Sequence, residues 1–291
     1  MINVSIVGFG NIGKAVYEAV SQAPDMQLAS IVSSKPQTID IPVLKDISQL
    51  KEIDAAILCA PSRLTPDLAT ALLKEGISTI DSFDIHSAIG DLRKDLDPIA
   101  KENNAVAVIS AGWDPGSDSV IRTLMEAMLP KGISYTNFGP GMSMGHTVAV
   151  KAIEGVKNAL SLTIPIGTGL HRRMVYIELC DGADFAAVEK AIKTDAYFAQ
   201  DETHVIAVAD VNALKDTGHG VHLTRKGVSG ITNNQNLSFS MSINNPALTA
   251  QILVSSTRAA LRQQPGCYTL IEIPPIHFLY GEPDALVKRL V

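Results

Sequence analysis

The sequence predicts an α/β protein, and three observations carry that expectation. Residues 2–109 alternate short apolar runs with helix-like segments. A glycine-rich turn, Gly8-Phe9-Gly10-Asn11-Ile12-Gly13, joins the first run to the first helix. Beyond Gly112 the rhythm changes to longer segments in which apolar and polar residues alternate. Strands are expected at 2–7, 28–32, 54–59, 77–81 and 105–109, with helices at 12–22, 65–75 and 87–103. The run Ala55-Ala56-Ile57-Leu58-Cys59-Ala60 is apolar throughout. Parallel strands covered on both faces have that character.

Strand, glycine turn and helix in that order form the phosphate-binding start of a Rossmann-type dinucleotide-binding domain. A helix N-terminus without obstructing side chains lets backbone N–H groups meet a pyrophosphate. In that role Gly8 allows the tight turn, Gly10 the approach of the phosphates and Gly13 the packing of helix on strand. Phe9, Asn11 and Ile12 complete the loop. NAD-specific chains carry a carboxylate about 20 residues further on, for the ribose 2′-OH. Here the second strand runs into Ser33-Ser34-Lys35, with no carboxylate. Two hydroxyls and an ammonium suit a 2′-phosphate. One charge pair ~4 Å apart is worth about 4 kcal/mol at an effective dielectric of about 20. NADP is therefore the expected cofactor. Ligands of such sheets lie beyond the carboxyl ends of the strands. That rule turns the loops after Ala60, Asp81 and Ser110 toward the active site. The cofactor-binding set is expected to include Cys59, Ala60, Pro61, Ser62 and Asp84.

The 291 residues suffice for two domains. Residues 1–112 with 245–291 are expected to form the dinucleotide-binding domain. Residues 113–244 are expected to form an α+β domain for substrate binding and dimerisation, with a mixed sheet. Its strands are expected at 160–166, 173–179, 204–211, 219–224 and 237–243, and its helices at 146–159 and 184–194. Asn245-Pro246 opens a helix over 245–262, Asn being a good N-cap and Pro favoured in the first turn. The segment from Asn245 onward is too small to stand alone and should pack back on the first domain.

A net charge of −6 without a basic block argues against nucleic acid as a partner. No apolar run reaches membrane-spanning length, and the N-terminus lacks a charged-then-apolar leader. Cys59, Cys180 and Cys267 are odd in number and far apart, which reads as reduced, buried thiols of a cytoplasmic protein. Apolar strands such as Val205-Ile206-Ala207-Val208 need cover, so a homodimer is expected.

Three loops carry polar groups where a substrate should sit. They are Asp81-Ser82-Phe83-Asp84, Ala111-Gly112-Trp113-Asp114-Pro115-Gly116, and Phe138-Gly139-Pro140-Gly141-Met142-Ser143-Met144-Gly145-His146. Glycines and prolines at this density set unusual backbone geometry and let a ligand approach the main chain. Asp84 and Asp114 are a pair of carboxylates suited to an amine, which they can anchor and deprotonate. Each could also simply cap the following turn. Arg173 alternates in register with Val175 and Ile177, so it should point inward and Arg172 outward. An arginine fork binds a carboxylate at two points. His219 and His222 have a metal-like spacing, but a third ligand is lacking and no metal site is expected.

Taken together, Gly8 to Gly13, Ser82-Phe83-Asp84, Gly112-Trp113-Asp114-Pro115-Gly116, Gly139 to His146 and Asn244-Asn245-Pro246 resemble the meso-diaminopimelate dehydrogenase family, in order and over nearly the whole chain. The resemblance implies an NADP-dependent enzyme. It would oxidatively and reversibly deaminate the D-centre of meso-2,6-diaminopimelate to L-2-amino-6-oxopimelate and ammonia, in lysine and diaminopimelate biosynthesis. It also implies substrate contacts at Asp84, Trp113, Asp114, Phe138, Met144, Gly145, Thr163, Arg173, His219 and Asn245, with Asp84, Trp113, Asp114 and the turn at 144–145 orienting the reacting end. Asp84 and Asp114, as the paired carboxylates, are the catalytic candidates. Arg173, Thr163, His219 and Asn245 would hold the distal L-amino-acid end. Gln is common in the family where Met144 stands here, so that side-chain hydrogen bond is absent.

Two alternatives follow from the same plan of strands and helices. One is another NADP-dependent two-domain oxidoreductase, of dihydrodipicolinate reductase or homoserine dehydrogenase type. The other is a non-catalytic NADP-binding sensor. The 2′-phosphate reading has a direct test: Lys35→Asp should raise KM for NADPH far more than for NADH, and equal effects in steady-state assays with both cofactors would overturn it.

Overall fold

The computed structural model describes residues 1–214 and 218–291. Contacts divide the chain into two units, Met1–Thr123 with Pro246–Val291, and Leu124–Asn245. The first unit begins with β1 (Ile2–Val7), α1 (Asn11–Ser21), β2 (Met26–Val32), β3 (Val43–Leu44), β4 (Ala55–Leu58), α2 (Thr65–Lys74), β5 (Ser78–Asp81), α3 (Ile89–Glu102) and β6 (Val106–Val108). The division then falls inside α4 (Ser117–Met128). The second unit holds β7 (Lys131–Phe138), β8 (Gly141–Met142), α5 (Met144–Lys151), β9 (Val156–Gly167), β10 (Leu170–Leu179), α6 (Phe185–Thr194), β11 (Glu202–Ala207), β12 (Gly218–Ser229) and β13 (Thr232–Asn244). α7 (Asn245–Ala260), β14 (Gly266–Tyr268) and α8 (Pro283–Leu290) close the chain, and residues from Pro246 onward belong to the first unit.

The first unit is a seven-stranded sheet in the order β14-β6-β5-β4-β1-β2-β3. Every neighbouring pair is parallel. Alternate residues of one strand enter opposite cores, which is why these strands read as unbroken apolar runs. Ala55 and Ile57 of β4 pack with Val16, Val20, Leu253 and Val254 of α1 and α7. Ala56 and Leu58 pack with Leu72, Leu73, Leu92 and Leu96 of α2 and α3. Each such Leu, Ile or Val stabilises by about 1.5–3 kcal/mol relative to an exposed one.

α7 opens at Asn245-Pro246 as the caps predict, and is anchored at its far end by Arg258. The Arg258 guanidinium grips both carboxylate oxygens of Asp25, in the turn before β2, and donates to the Phe278 carbonyl at 3.0 Å. Arg258's hydrogen bond holds the Asp25 carboxyl below the usual range.

The second unit contains a mixed sheet, β11-β10-β9-β8, and an antiparallel one, β13-β12-β7. In the mixed sheet β10 pairs parallel with β11 and antiparallel with β9. Val150 of α5, Val188 and Ile192 of α6, and Phe198 pack on Val175 and Ile177 of β10.

Three expectations need correction. The helix expected at 146–159 ends at Lys151, because the chain turns through Gly155 at φ +88° and enters β9 at Val156. Residues 117–128 form a helix, α4, that the alternation pattern does not suggest. Cys180 is exposed, whereas Cys267 is buried and Cys59 half-buried.

Replacing Arg258 by Met leaves the largely buried Asp25 carboxylate without its partner. It should lower the unfolding free energy by about 3 kcal/mol in urea denaturation. The double change Arg258→Met/Asp25→Asn should recover part of that loss. Because the Asp25 pKa is lowered, the pair's contribution is present above the ordinary carboxylate value and disappears as the pH falls through the lowered one.

Candidate active site

The glycine turn has the backbone its residues require. Gly8 sits at φ +96°, and an added Cβ would lie 2.8 Å from the Cys59 carbonyl oxygen. A Cβ on Gly13 would lie 2.2 Å from the Gly8 oxygen, so α1 rests directly on the turn. Gly10 is different, with open space where its Cβ would be. It is the N-cap of α1, no side chain caps it, and the first turn carries no acid. A helix start leaves its first N–H groups without intrahelical partners. Uncapped donors beside open space fit a pyrophosphate.

The Gly8 N–H donates to the Val32 oxygen at 2.9 Å, tying the turn to the end of β2. Just beyond, Ser33 Oγ donates to the Lys35 carbonyl and accepts the Lys35 N–H, which folds Ser33-Ser34-Lys35 into a tight loop. Ser34 and Lys35 are exposed at its tip. On the other side of β1, the Cys59 N–H donates to the Val7 oxygen at 2.7 Å. Burial pushes the Cys59 thiol up to about 12, so it stays a neutral wall and not a nucleophile.

The next loops are joined by one buried carboxyl. Asp81 ends β5, and its Oδ1 accepts the N–H of Phe83 at 2.9 Å and of Ser110 at 3.0 Å. Its backbone oxygen accepts the N–H of Ala111 at 2.7 Å. Burial pushes the Asp81 carboxyl up to about 6, against the pull of the two N–H donors. Asp84 follows, exposed, with Oδ1 accepting from Ser62 Oγ at 2.7 Å. Ser62 of the cofactor set and Asp84 of the catalytic set therefore meet.

Trp113 and Asp114 lie on the loop after β6. Trp113 is buried, and its carbonyl accepts the Asp118 N–H at 3.0 Å, which starts α4. Asp114 Oδ1 accepts from Arg122 Nη1 at 3.4 Å. Arg122 Nη2 lies 2.7 Å from Oδ2 of Asp118, which is fully buried. That N–H is not aligned on Oδ2, so the contact is Coulombic. Burial, then the negative charge of Asp114, holds the Asp118 carboxyl well above the usual range, and Arg122 opposes the shift.

In the second unit the GPG turn is a wedge. A Cβ on Gly139 would lie 2.1 Å from the Thr163 oxygen, and one on Gly141 would lie 1.9 Å from the Gly218 oxygen. Gly141 pairs with Thr163 across β8 and β9, and Thr163 pairs with Arg173 across β9 and β10. His219 follows Gly218 on β12, and Asn245 follows Asn244, the pairing partner of Gly218. Phe138 pairs with Val221 on the same strand. Backbone register thus gathers Phe138, Thr163, Arg173, His219 and Asn245. Arg173 points inward, with Nε 2.6 Å from Asp201 Oδ2 and Nη1 on Thr163 Oγ1, while Arg172 pairs with Glu202 at the surface.

Met144 and Gly145 open α5 after Ser143. His146 Nε2 donates to the Tyr197 oxygen at 3.0 Å, so its Nδ1 accepts from Ser143 Oγ at 2.8 Å. Burial, then Arg173, pushes His146 down to about 4. The Phe138 N–H donates to His171 Nε2 at 2.8 Å, which requires a neutral ring there; burial, then Arg173, lowers that pKa too.

His219 and His222 are three apart on β12, where side chains alternate; His219 is buried and His222 exposed, so they do not share a ligand. Among the described residues no group of three His, Cys, Asp or Glu could hold a metal.

Sequence reasoning placed Asp81 in a substrate loop without a role of its own, and missed Asp118, Arg122 and Asp201. A signal existed for two of them: Asp118 and Arg122 are spaced i, i+4, which puts them on one face of a helix that follows Asp114. Asp201 meets Arg173 only through the parallel pairing of β10 and β11, and nothing local announces it.

The glycine geometry separates binding from packing. Gly10→Ala should leave the melting temperature nearly unchanged but weaken NADPH binding at least tenfold by fluorescence titration. Gly13→Ala should lower the melting temperature as well, since its Cβ would strike backbone.

Residues 2–81 match the family described as oxidoreductase family, NAD-binding Rossmann fold, and residues 112–170 match the diaminopimelic acid dehydrogenase C-terminal domain. The meso-diaminopimelate D-dehydrogenase of Bacteroides fragilis is 59% identical over 296 aligned residues, covering 100% of this chain and 99% of its own. The solved Corynebacterium glutamicum DAP dehydrogenase in complex with DAP superposes with a TM-score of 0.91 at 29% identity, covering 100% of this chain and 99% of the other. An engineered D-amino acid dehydrogenase bound to NADP+ gives 0.87 at 28% identity, with coverage of 100% and 99%. A full-length relative at that identity, on the same two-part fold and with the family's C-terminal domain, shows that this chain belongs to the meso-diaminopimelate dehydrogenase family.

Proposed function

We propose that this chain catalyses the NADP-dependent, reversible oxidative deamination of meso-2,6-diaminopimelate at its D-centre. The products are L-2-amino-6-oxopimelate, ammonia and NADPH, and the reaction serves lysine and diaminopimelate biosynthesis. The observation that carries this reading is the pair of acidic loops held side by side by Asp81 beyond the carboxyl end of a dinucleotide-type sheet. Membership of the family names the substrate.

Gly8, Phe9, Gly10, Asn11, Ile12 and Gly13 would hold the pyrophosphate, Ser33-Ser34-Lys35 the 2′-phosphate, and Cys59 to Ser62 with Asp84 the rest of the cofactor. When bound, NADP+ supplies the hydride acceptor. This chain's residues prepare the substrate. An α-carbon cannot release hydride while its nitrogen is a full ammonium, because the lone pair must push the hydride out. Asp114 takes that proton, directly or through a water, and Asp84 helps anchor the amine. The Trp113 ring and the Met144-Gly145 turn limit how the reacting carbon lies. The inward Arg173 fork, Thr163, His219 and Asn245 bind the distal amino-acid end, and Phe138 is a further substrate contact. Positioning of this kind contributes several kcal/mol to barrier lowering, of the roughly 7–11 kcal/mol that ideal orientation can supply.

A homodimer in the cytoplasm completes the reading. Ile133, Ile166 and Leu170 expose apolar surface on the second unit, and the three cysteines form no disulfide, as in a reducing compartment.

NADPH formation should be fastest with the meso isomer, against L,L- and D,D-diaminopimelate at alkaline pH. No turnover with any isomer would overturn the activity. Asp114→Asn should reduce kcat about 100-fold or more, and near-normal turnover would remove Asp114 from its role.

A further inference from the structure

The start of α4 holds a group that the proposed reaction does not yet use. Asp118 is fully buried, yet it is an acid in the first turn of a helix with another acid beside it. Its Oδ1 has Ser119 Oγ at 3.4 Å, and its Oδ2 has no hydrogen-bond donor from the protein. The charged groups that act most strongly on it are Asp114, from the preceding loop, and Arg122, from the next turn of α4. The Arg122 fork spans both carboxyls, with Nη1 3.4 Å from Asp114 Oδ1 and Nη2 2.7 Å from Asp118 Oδ2. One guanidinium cannot neutralise both the fully buried Asp118 carboxylate and the partly buried Asp114 beside it. Two ionised acids in such a place would leave a net negative charge out of water, which a single retained proton removes.

We propose that Asp118 is a positioning residue that shares one proton with Asp114, so that the two carboxyls, bridged by Arg122, work as a single acid–base unit. The inference rests on Asp114 being the group that takes the amine proton. In the deamination direction the substrate ammonium N–H bond breaks and its electron pair stays on nitrogen. The proton arrives on an Asp114 carboxylate oxygen and is stabilised by the Asp118 carboxylate beside it. In reductive amination the same proton returns to nitrogen. No electron leaves the pair in either direction. The unit is competent as a base only when the shared proton is absent, so its titration sets the rising limb of the deamination pH profile. Asp118 touches neither substrate nor cofactor in this scheme, and acts through Asp114.

The signs follow from charge. Removing one negative charge favours the deprotonated unit, and removing the cation disfavours it. The experiment is kcat/KM for deamination of meso-diaminopimelate against pH, at saturating NADP+, with NADPH affinity measured for each variant as the control for folding. Asp118→Asn should move the midpoint of the rising limb down by about one pH unit, and Arg122→Gln should move it up by about as much. A midpoint unchanged in both variants, or moved in the same direction in both, overturns the proposal. If Asp118→Asn fails to bind NADPH, the half-exposed Arg122 carries the test alone: an upward shift supports the shared proton and an unmoved limb rejects it. Failure of the underlying reading looks different. Near-normal turnover in Asp114→Asn removes Asp114 as proton acceptor whatever Asp118 does. A crippled Asp114→Asn beside unmoved midpoints in the other two rejects the shared proton only.

Discussion

Asp81 Oδ1 accepts two backbone N–H groups from two different loops, and the Asp81 carbonyl accepts a third. These bonds keep the Asp84 loop and the Trp113-Asp114 loop adjacent, although the two lie on separate strands of the sheet. The carboxyl is fully buried and one of its oxygens has no protein donor. A hydrophobic residue there would fill the space but leave the N–H groups of Phe83 and Ser110 unsatisfied, at about 1–3 kcal/mol each. The geometry of the acidic site depends on this one acceptor more than on any apolar contact.

The second unit solves a similar problem with backbone alone. Gly139 and Gly141 press against carbonyl oxygens of Thr163 and Gly218, and no side chain would fit at either position. That contact sets β8 between β9 and the start of β12, and so fixes Thr163 and His219 on either side of one turn. Arg173 then needs only its strand register to reach Thr163, and Asp201 to hold its remaining edge. A guanidinium held at two points has little rotamer entropy left to lose on meeting a carboxylate.

Parts of this were legible in the residues and parts were not. The glycine turn was legible because its constraints are local and steric: Gly8 needs a positive φ, and Gly13 has no room for a Cβ. The parallel strands were legible because burial on both faces leaves a continuous apolar run. The helix expected at 146–159 was overextended because Val148, Val150 and Ile153 give the same apolar density in a helix as in a strand. Only the turn at Gly155 marks the change. α4 was missed because the helix signal at 117–128 is carried by polar as much as by apolar positions, and one of those polar positions, Asp118, is turned inward.

The chain by itself determined the dinucleotide half and the identity of the acidic and basic groups. These depend on steric and charge rules that act over a few residues. Only the tertiary structure decided which of those groups meet. Asp81 with Ser110, Ser62 with Asp84, and Arg173 with Asp201 are each joined across more than 20 residues by strand pairing. Pairing register is set by the whole buried face of a sheet, and a sequence read locally contains no measure of it.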